Sequence, residues 1–256
     1  MLDLALYTTV VDAIASFDRA RQRQRQHYLA ELIPAIARHA ATSQERNRLE
    51  SSNLNVFQFF RPGETTHSRL LAYFLDPRAQ HGQGTLFLAE FLRLLGISEP
   101  DSGAAHDWAV TAETGRVDVL LRRAHPHTVV VIENKSNYAA DQPNQLYRYW
   151  YQEIYLQQVA RHRPAAEIAR PPGSHYRLVY LSPTSWKQPE AQSLTKPAAW
   201  ADWGAHLPPV LPMPTEQHLF RDFVVQWLEN AIRQLPAGNH RLREFTRQYI
   251  QFWQAS

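Results

Sequence analysis

Apolar residues at three- and four-residue spacing open the chain: Leu6, Val10, Ile14 and Phe17, then Leu29, Leu32, Ile33 and Ile36. This spacing predicts two amphipathic helices between Leu2 and about Leu49, with Pro34 a candidate kink in the second and Ala41 to Asn53 reading as helix end and loop. Pro62-Gly63 marks a turn before a helix that opens at Glu64, buries Leu70, Leu71, Phe74 and Leu75, and stops at Asp76-Pro77. Beyond the loop His81-Gly82-Gln83-Gly84 a further helix is predicted from about Thr85 to Leu95, with Gly96 as its C-terminal cap.

The period then changes. Ala109 to Arg122 and Thr128 to Lys135 are rich in Val and Leu and read as antiparallel strands joined through the polar His125-Pro126-His127. Asp141 to about Arg161 returns to helical spacing, and Tyr176 to Leu181 is a short apolar strand closed by Ser182-Pro183. Ten of the 17 prolines fall between Pro164 and Pro214, a region expected to be irregular and surface-lying apart from that strand. Leu219 to Leu235 and Leu242 to Trp253 are again helical, with Phe223, Trp227, Ile232, Phe245, Tyr249 and Phe252 as packing residues. The order predicts an α/β fold: a mixed β-sheet core flanked by helices, with extra helices at both ends. One domain is expected over residues 1–256: a helical extension (1–55), a core (56–183), and a Pro-rich segment with C-terminal helices (184–256).

Composition narrows the chemistry. A chain of 256 residues that is 44% hydrophobic and 20% charged holds its own core. The absence of cysteine excludes disulfides, thiolate zinc sites and thiol nucleophiles, so a metal must sit on carboxylates, histidines or backbone oxygens. The first twenty residues carry Asp3, Asp12 and Asp18 and no basic leader, and no apolar run reaches the roughly 18 residues of a membrane span, so a cytoplasmic protein is expected. The net charge of +3 is small, but Arg19 to Arg25 and His240 to Arg247 are basic stretches that suit a polyanionic partner. Of 27 basic residues only Lys135, Lys187 and Lys196 are lysine, so each lysine invites a reason.

The informative stretch is Gly115 to Leu121 followed by Val129 to Lys135. Alternation along a strand puts Glu133 and Lys135 on one face and Asn134 on the other. A partner strand carrying Asp118 adds a second carboxylate, and two carboxylates with a backbone carbonyl are hard oxygen ligands for Mg²⁺ or Mn²⁺. The competing reading, a surface ion pair, fits poorly at the end of four consecutive β-branched apolar residues, where a buried charged pair costs several kcal/mol, roughly, unless a partner offsets it. Glu64, His67 or Ser68, and Leu71 share one helical face. Gln142, Gln145 and Tyr149 also have helical spacing, and the aromatic run Tyr147, Tyr149, Trp150, Tyr151 and Tyr155 reads as sheet packing ahead of base stacking.

With these residues in hand the sequence resembles the PD-(D/E)XK nuclease superfamily, in a branch marked by five motifs. They stand here as Glu64-Thr65-Thr66-His67-Ser68 through Asp76-Pro77, His81-Gly82-Gln83-Gly84, Gly115-Arg116-Val117-Asp118, Glu133-Asn134-Lys135, and Asp141-Gln142 through Gln145 to Tyr149. The resemblance spans about Phe57 to Tyr151, and Val117 stands where the superfamily name has proline. It implies a restriction-endonuclease-like fold. It also implies metal ligation by Asp118, Glu133 and the main-chain carbonyl of Asn134, with Glu64 completing the site. Lys135 would act on the attacking water and Gln145 would belong to the catalytic set. Arg116, Gln142, Tyr149 and His67 are the expected substrate contacts. The function expected is metal-dependent hydrolysis of nucleic acid, foremost DNA, with defence or mobile-DNA processing as the setting and a homodimer as the form that cuts two strands. The rival is a catalytically silent nuclease-fold module that binds nucleic acid or a protein.

Overall fold

The structure, a computed structural model, describes residues 4–51, 54–97, 107–125, 127–159 and 175–255. Pro126, the expected helix end near Arg161 and the first prolines of the Pro-rich stretch lie outside them. The chain divides into two compact units, Met1–Leu54 and Asn55–Ser256.

The first unit is α1, Leu4–Glu50, one unbroken helix of 47 residues where two were expected. The Arg and Gln residues between the two apolar stretches are good helix formers, so nothing in Arg19 to Gln26 interrupts the backbone. Pro34 sits inside the helix without ending it, and the polar run after Ala41 continues it to Glu50.

In the second unit α2 (Val56–Phe60), α3 (Glu64–Leu75) and α4 (Leu86–Leu94) precede a five-stranded sheet. Its strands are β1 (Trp108–Thr114), β2 (Val117–Arg123), β3 (Thr128–Asn134), β4 (Tyr176–Ser182) and β5 (Thr215–Leu219), in spatial order β1-β2-β3-β4-β5. The β1–β2 and β2–β3 pairs are antiparallel, while the β3–β4 and β4–β5 pairs are parallel. Every residue of β3 is buried, as its continuous apolar run requires of a central strand covered on both faces.

Alternation sorts the core into two layers. Val130 and Ile132 pack with Leu71, Phe74, Phe91 and Trp227 on the helical face, and Val129 and Val131 with Leu146, Tyr147, Trp150 and Tyr180 on the other. The helical face is completed by α7 (Val225–Gln234) and α8 (His240–Gln254). The far face carries α5 (Gln145–Tyr149), a π-helical turn over Trp150–Tyr155, and α6 (Leu156–Val159).

Several expected elements are corrected. Ala109 to Arg122 is not one strand but the hairpin β1–β2, because Gly115 and Arg116 both take positive φ (65° and 71°) and reverse the chain in two residues. The helix expected from Asp141 begins at Gln145, since Pro143 and a left-handed Asn144 (φ 61°) turn the chain first. β5 went unread because its sequence Thr-Glu-Gln-His-Leu is polar and half-buried throughout, as an edge strand can be. The Pro-rich stretch is more than surface: Leu207 is buried in the second core layer, and Lys196 Nζ donates to the carbonyls of Gly204 (3.0 Å) and Leu207 (3.4 Å).

Candidate active site

The C-terminal ends of β3 and β4 gather the ionisable groups. β2 runs antiparallel to β3, so Asp118, just before the paired position Val119–Ile132, arrives at the end of β3 where Glu133 and Asn134 stand. Asp118 Oδ2 accepts a hydrogen bond from Asn134 N–H at 2.6 Å. The Lys135 ammonium lies 2.5 Å from Glu133 Oε1, and both side chains are almost wholly buried. On the opposite face, Asn134 Nδ2 donates to the Glu64 carbonyl (2.8 Å) and to Ser68 Oγ (3.0 Å), which bolts the first turn of α3 to the end of β3. The side chain that alternation points away from Glu133 therefore positions Glu64.

Lys135 is braced from α5. Its Nζ donates to Gln145 Oε1 at 3.4 Å, Gln145 Nε2 donates to Tyr149 Oη at 2.8 Å, and Tyr149 Oη donates to the Arg116 carbonyl. The positive φ of Arg116, uncommon for a residue with a Cβ, turns that carbonyl toward Tyr149 while the Arg116 side chain stays exposed. Gln142 is exposed, and its N–H donates to Gln145 Oε1 at 3.1 Å.

Electrostatics sets this cluster apart from an ordinary ion pair. Burial, then the neighbouring Glu133, pushes Asp118 up to about 8, against the pull of the Asn134 N–H. Burial also raises Glu133 and Glu64, with Lys135 opposing in each case. Burial alone would lower Lys135, but the carboxylates of Glu133, Asp141 and Glu64 outweigh it and hold the ammonium protonated. Apart from the ammonium at Oε1, neither Glu133 oxygen has a hydrogen-bond partner among the described residues, nor has the buried Glu64 Oε2. Buried carboxylate oxygens without donors are costly, and a hard divalent cation is the partner that suits them. Among the described residues no three His, Asp or Glu side chains are already drawn together as a coordination cluster, so a cation would rest on Asp118 and Glu133 with oxygens from the main chain, Glu64 or water. A cavity of about 620 Å³ lined by Arg69, Tyr73, His81 and Phe245 involves none of these carboxylates.

His67 is not in this group. It is 1% exposed, packs among Phe220, Tyr249, Phe252 and Trp253, and its Nδ1 lies 2.9 Å from Tyr249 Oη. Burial brings it down to about 4, which favours the neutral ring in this apolar setting. His81 also stands apart from the carboxylates: its Nδ1 accepts from Gln83 N–H at 3.0 Å, its ring packs on Tyr73 and Phe87, and its buried Nε2 has no hydrogen-bond partner among the described residues.

Residue-by-residue reading missed the hub behind Lys135. The Asp141 carboxylate is fully buried and lies 3.6 Å from Lys135 Nζ and 3.9 Å from Lys187 Nζ. It accepts from Tyr180 Oη (2.9 Å) and from Glu190 N–H (2.8 Å), and Lys187 also contacts Glu190 at 3.3 Å. The signals were present: Asp141 opens a motif, and Lys187 is one of the three lysines. Asp141→Ala is expected to destabilise the protein by about 3–5 kcal/mol in urea denaturation, because it leaves two buried ammonium groups without a shared partner. A loss below about 1 kcal/mol, the range of an exposed pair, would show that Glu133 and Glu190 suffice.

A family model described as the PD-(D/E)XK nuclease superfamily matches residues 54–251, most of the chain and all of these groups. The chain belongs to the PD-(D/E)XK nuclease superfamily. The mixed sheet with helices on both faces is its restriction-endonuclease-like α/β fold, and membership implies a hydrolase of phosphodiester bonds. Comparison with curated proteins and with solved structures finds no significant match. Among the described residues no helix is long and apolar enough to cross a membrane.

Proposed function

We propose that this superfamily member is a cytoplasmic, divalent-cation-dependent nuclease whose substrate is DNA. The observation that carries this reading is the pair of repelling carboxylates, half-buried Asp118 and buried Glu133, set against a buried and protonated Lys135. Asp118, Glu133, the Asn134 carbonyl and Glu64 would hold Mg²⁺ or Mn²⁺, which when bound polarises a phosphate oxygen and acidifies water. Lys135 stays charged and so serves as an electrostatic stabiliser of the phosphoryl oxygens rather than as a base. Glu133 fixes the ammonium from one side, and Gln145, itself held by Tyr149, from another. Arg116, exposed on the β1–β2 turn, is free to meet a substrate phosphate. In the reaction a water oxygen bonds to phosphorus and gives up a proton to solvent, the bond to the leaving sugar oxygen breaks, and that oxygen takes up a proton from solvent. Defence against foreign DNA or mobile-DNA processing, with a homodimer cutting both strands, belongs to the same reading.

The test is incubation with plasmid, linear duplex, single-stranded DNA and RNA in Mg²⁺, Mn²⁺ or EDTA, scoring cleavage and gel shift separately. Cleavage of DNA that EDTA abolishes supports the reading. Binding without cleavage in either metal would favour the silent module instead.

A further inference from the structure

Two aromatic side chains beside the site have no part in the chemistry above. Tyr138 and Trp186 stack on each other, with ring centroids 5.3 Å apart and planes at 16°. They nevertheless leave 47% and 70% of their surface open. Scattered exposed apolar residues need no explanation, but this pair is held in place from both sides.

Tyr138 follows Lys135 by three residues, its N–H donates to the Lys135 carbonyl at 3.0 Å, and its backbone takes a left-handed φ of 60°. That conformation is unfavourable for a residue with a Cβ, and here it swings the ring outward. Trp186 directly precedes Lys187, whose ammonium is gripped by Asp141 and Glu190. Gln217 Nε2, reaching from β5, lies within 3.4 Å of the carbonyls of Thr184, Ser185 and Lys187, so the turn that presents Trp186 is tied to the sheet. Because Asp141 also faces Lys135, one buried carboxylate joins both aromatic loops to the catalytic lysine.

We infer that Tyr138 and Trp186 form a stacking platform for an unpaired nucleobase next to the scissile phosphate. The inference rests on the nuclease reading and extends it to the substrate's conformation. Every base has a π face that an exposed indole can take up, whereas bases inside a duplex already have stacking partners. A protein contact is the weaker fit: the loop neighbours Asn137, Ser185 and Gln188 are exposed and polar, leaving the two rings and the small Ala139 and Ala140 where an interface needs a wide apolar core. The platform predicts a preference for single strands, frayed ends or bulged duplex over intact duplex.

The test compares a labelled single-stranded oligonucleotide with one of equal length and charge whose central residues are abasic. Binding is read by anisotropy in Ca²⁺, and cleavage of the same base-bearing strand is read in Mg²⁺. Wild type is expected to bind the base-bearing strand about 10-fold more tightly, in line with one base–aromatic stack. Trp186→Ala should bring that ratio close to one, Tyr138→Ala should lower it, and Trp186→Phe should retain most of it. An unchanged ratio in both alanine variants, with cleavage by wild type intact, overturns the platform alone. Wild type that neither binds nor cleaves any strand overturns the nuclease reading beneath it. Loss of self-association in Trp186→Ala with the ratio intact would mark the pair as a protein contact and also overturn the platform.

Discussion

Asp118→Asn is expected to reduce cleavage to the level seen in EDTA while raising the melting temperature of the metal-free protein. The substitution keeps an oxygen for the Asn134 N–H, so the hydrogen bond at the β2–β3 junction survives. What disappears is the charge that a cation needs and that Glu133 repels. The sign of the pH dependence follows. The Asp118 carboxyl is held at about 8 in the fold against 3.8 ordinarily, so through that window the folded state keeps a proton that the unfolded chain has released. Its contribution is therefore present below about 4 and is lost as pH rises toward 8. Melting curves in EDTA should show the gap between Asp118→Asn and wild type widening from pH 4 to pH 8. Glu133→Gln should lose cleavage as completely, but it also strips Lys135 of its closest counter-charge and is expected to gain less stability. Wild-type cleavage by either variant would contradict the assignment.

Lys135→Arg is expected to lose at least about 100-fold in single-turnover cleavage with DNA affinity unchanged, although the charge is kept. An ammonium is compact, and here it is almost wholly buried and ringed by Glu133, Asp141 and Gln145. A planar guanidinium is bulkier and spreads its charge, so it must displace one of these partners and withdraw from the phosphoryl oxygens. Near-wild-type cleavage with unchanged binding would reduce Lys135 to an ion-pair partner of Glu133.

The sheet's centre was legible because burial on both faces writes itself into β3 as an unbroken apolar run, ending on Glu133-Asn134-Lys135. Two-residue alternation then placed Glu133 with Lys135 and opposed them to Asn134, as the contacts bear out. Two of the losses, His67 and Asp141, depend on contacts that span long stretches of chain, and the others on local continuity or reversal that the apolar spacing does not mark. A turn at Gly115-Arg116 leaves the apolar pattern on either side uninterrupted, so β1 and β2 read as one strand. His67 shares a helical face with residues facing the sheet, and only the arrival of Tyr249 and Trp253, far along the chain, converts it into packing. Asp141 acquires its role from Tyr180, Lys187 and Glu190, none of which is its sequence neighbour. In the first unit, helical spacing was read correctly but continuity was not, because the Arg and Gln run between the apolar stretches extends the helix instead of ending it.

The most direct test of the central claim, that Asp118 and Glu133 form a cation site, is calorimetric titration of Mn²⁺ into wild type and Asp118→Asn at pH 7 in two buffers of different ionisation enthalpy. Because Asp118 is largely protonated there, the cation must displace its proton. Wild type should bind at a single site with a buffer-dependent heat that fades above pH 9, and the variant should show neither the site nor the proton release. Equal Mn²⁺ affinity in the two proteins, with no difference in proton release, would contradict the account.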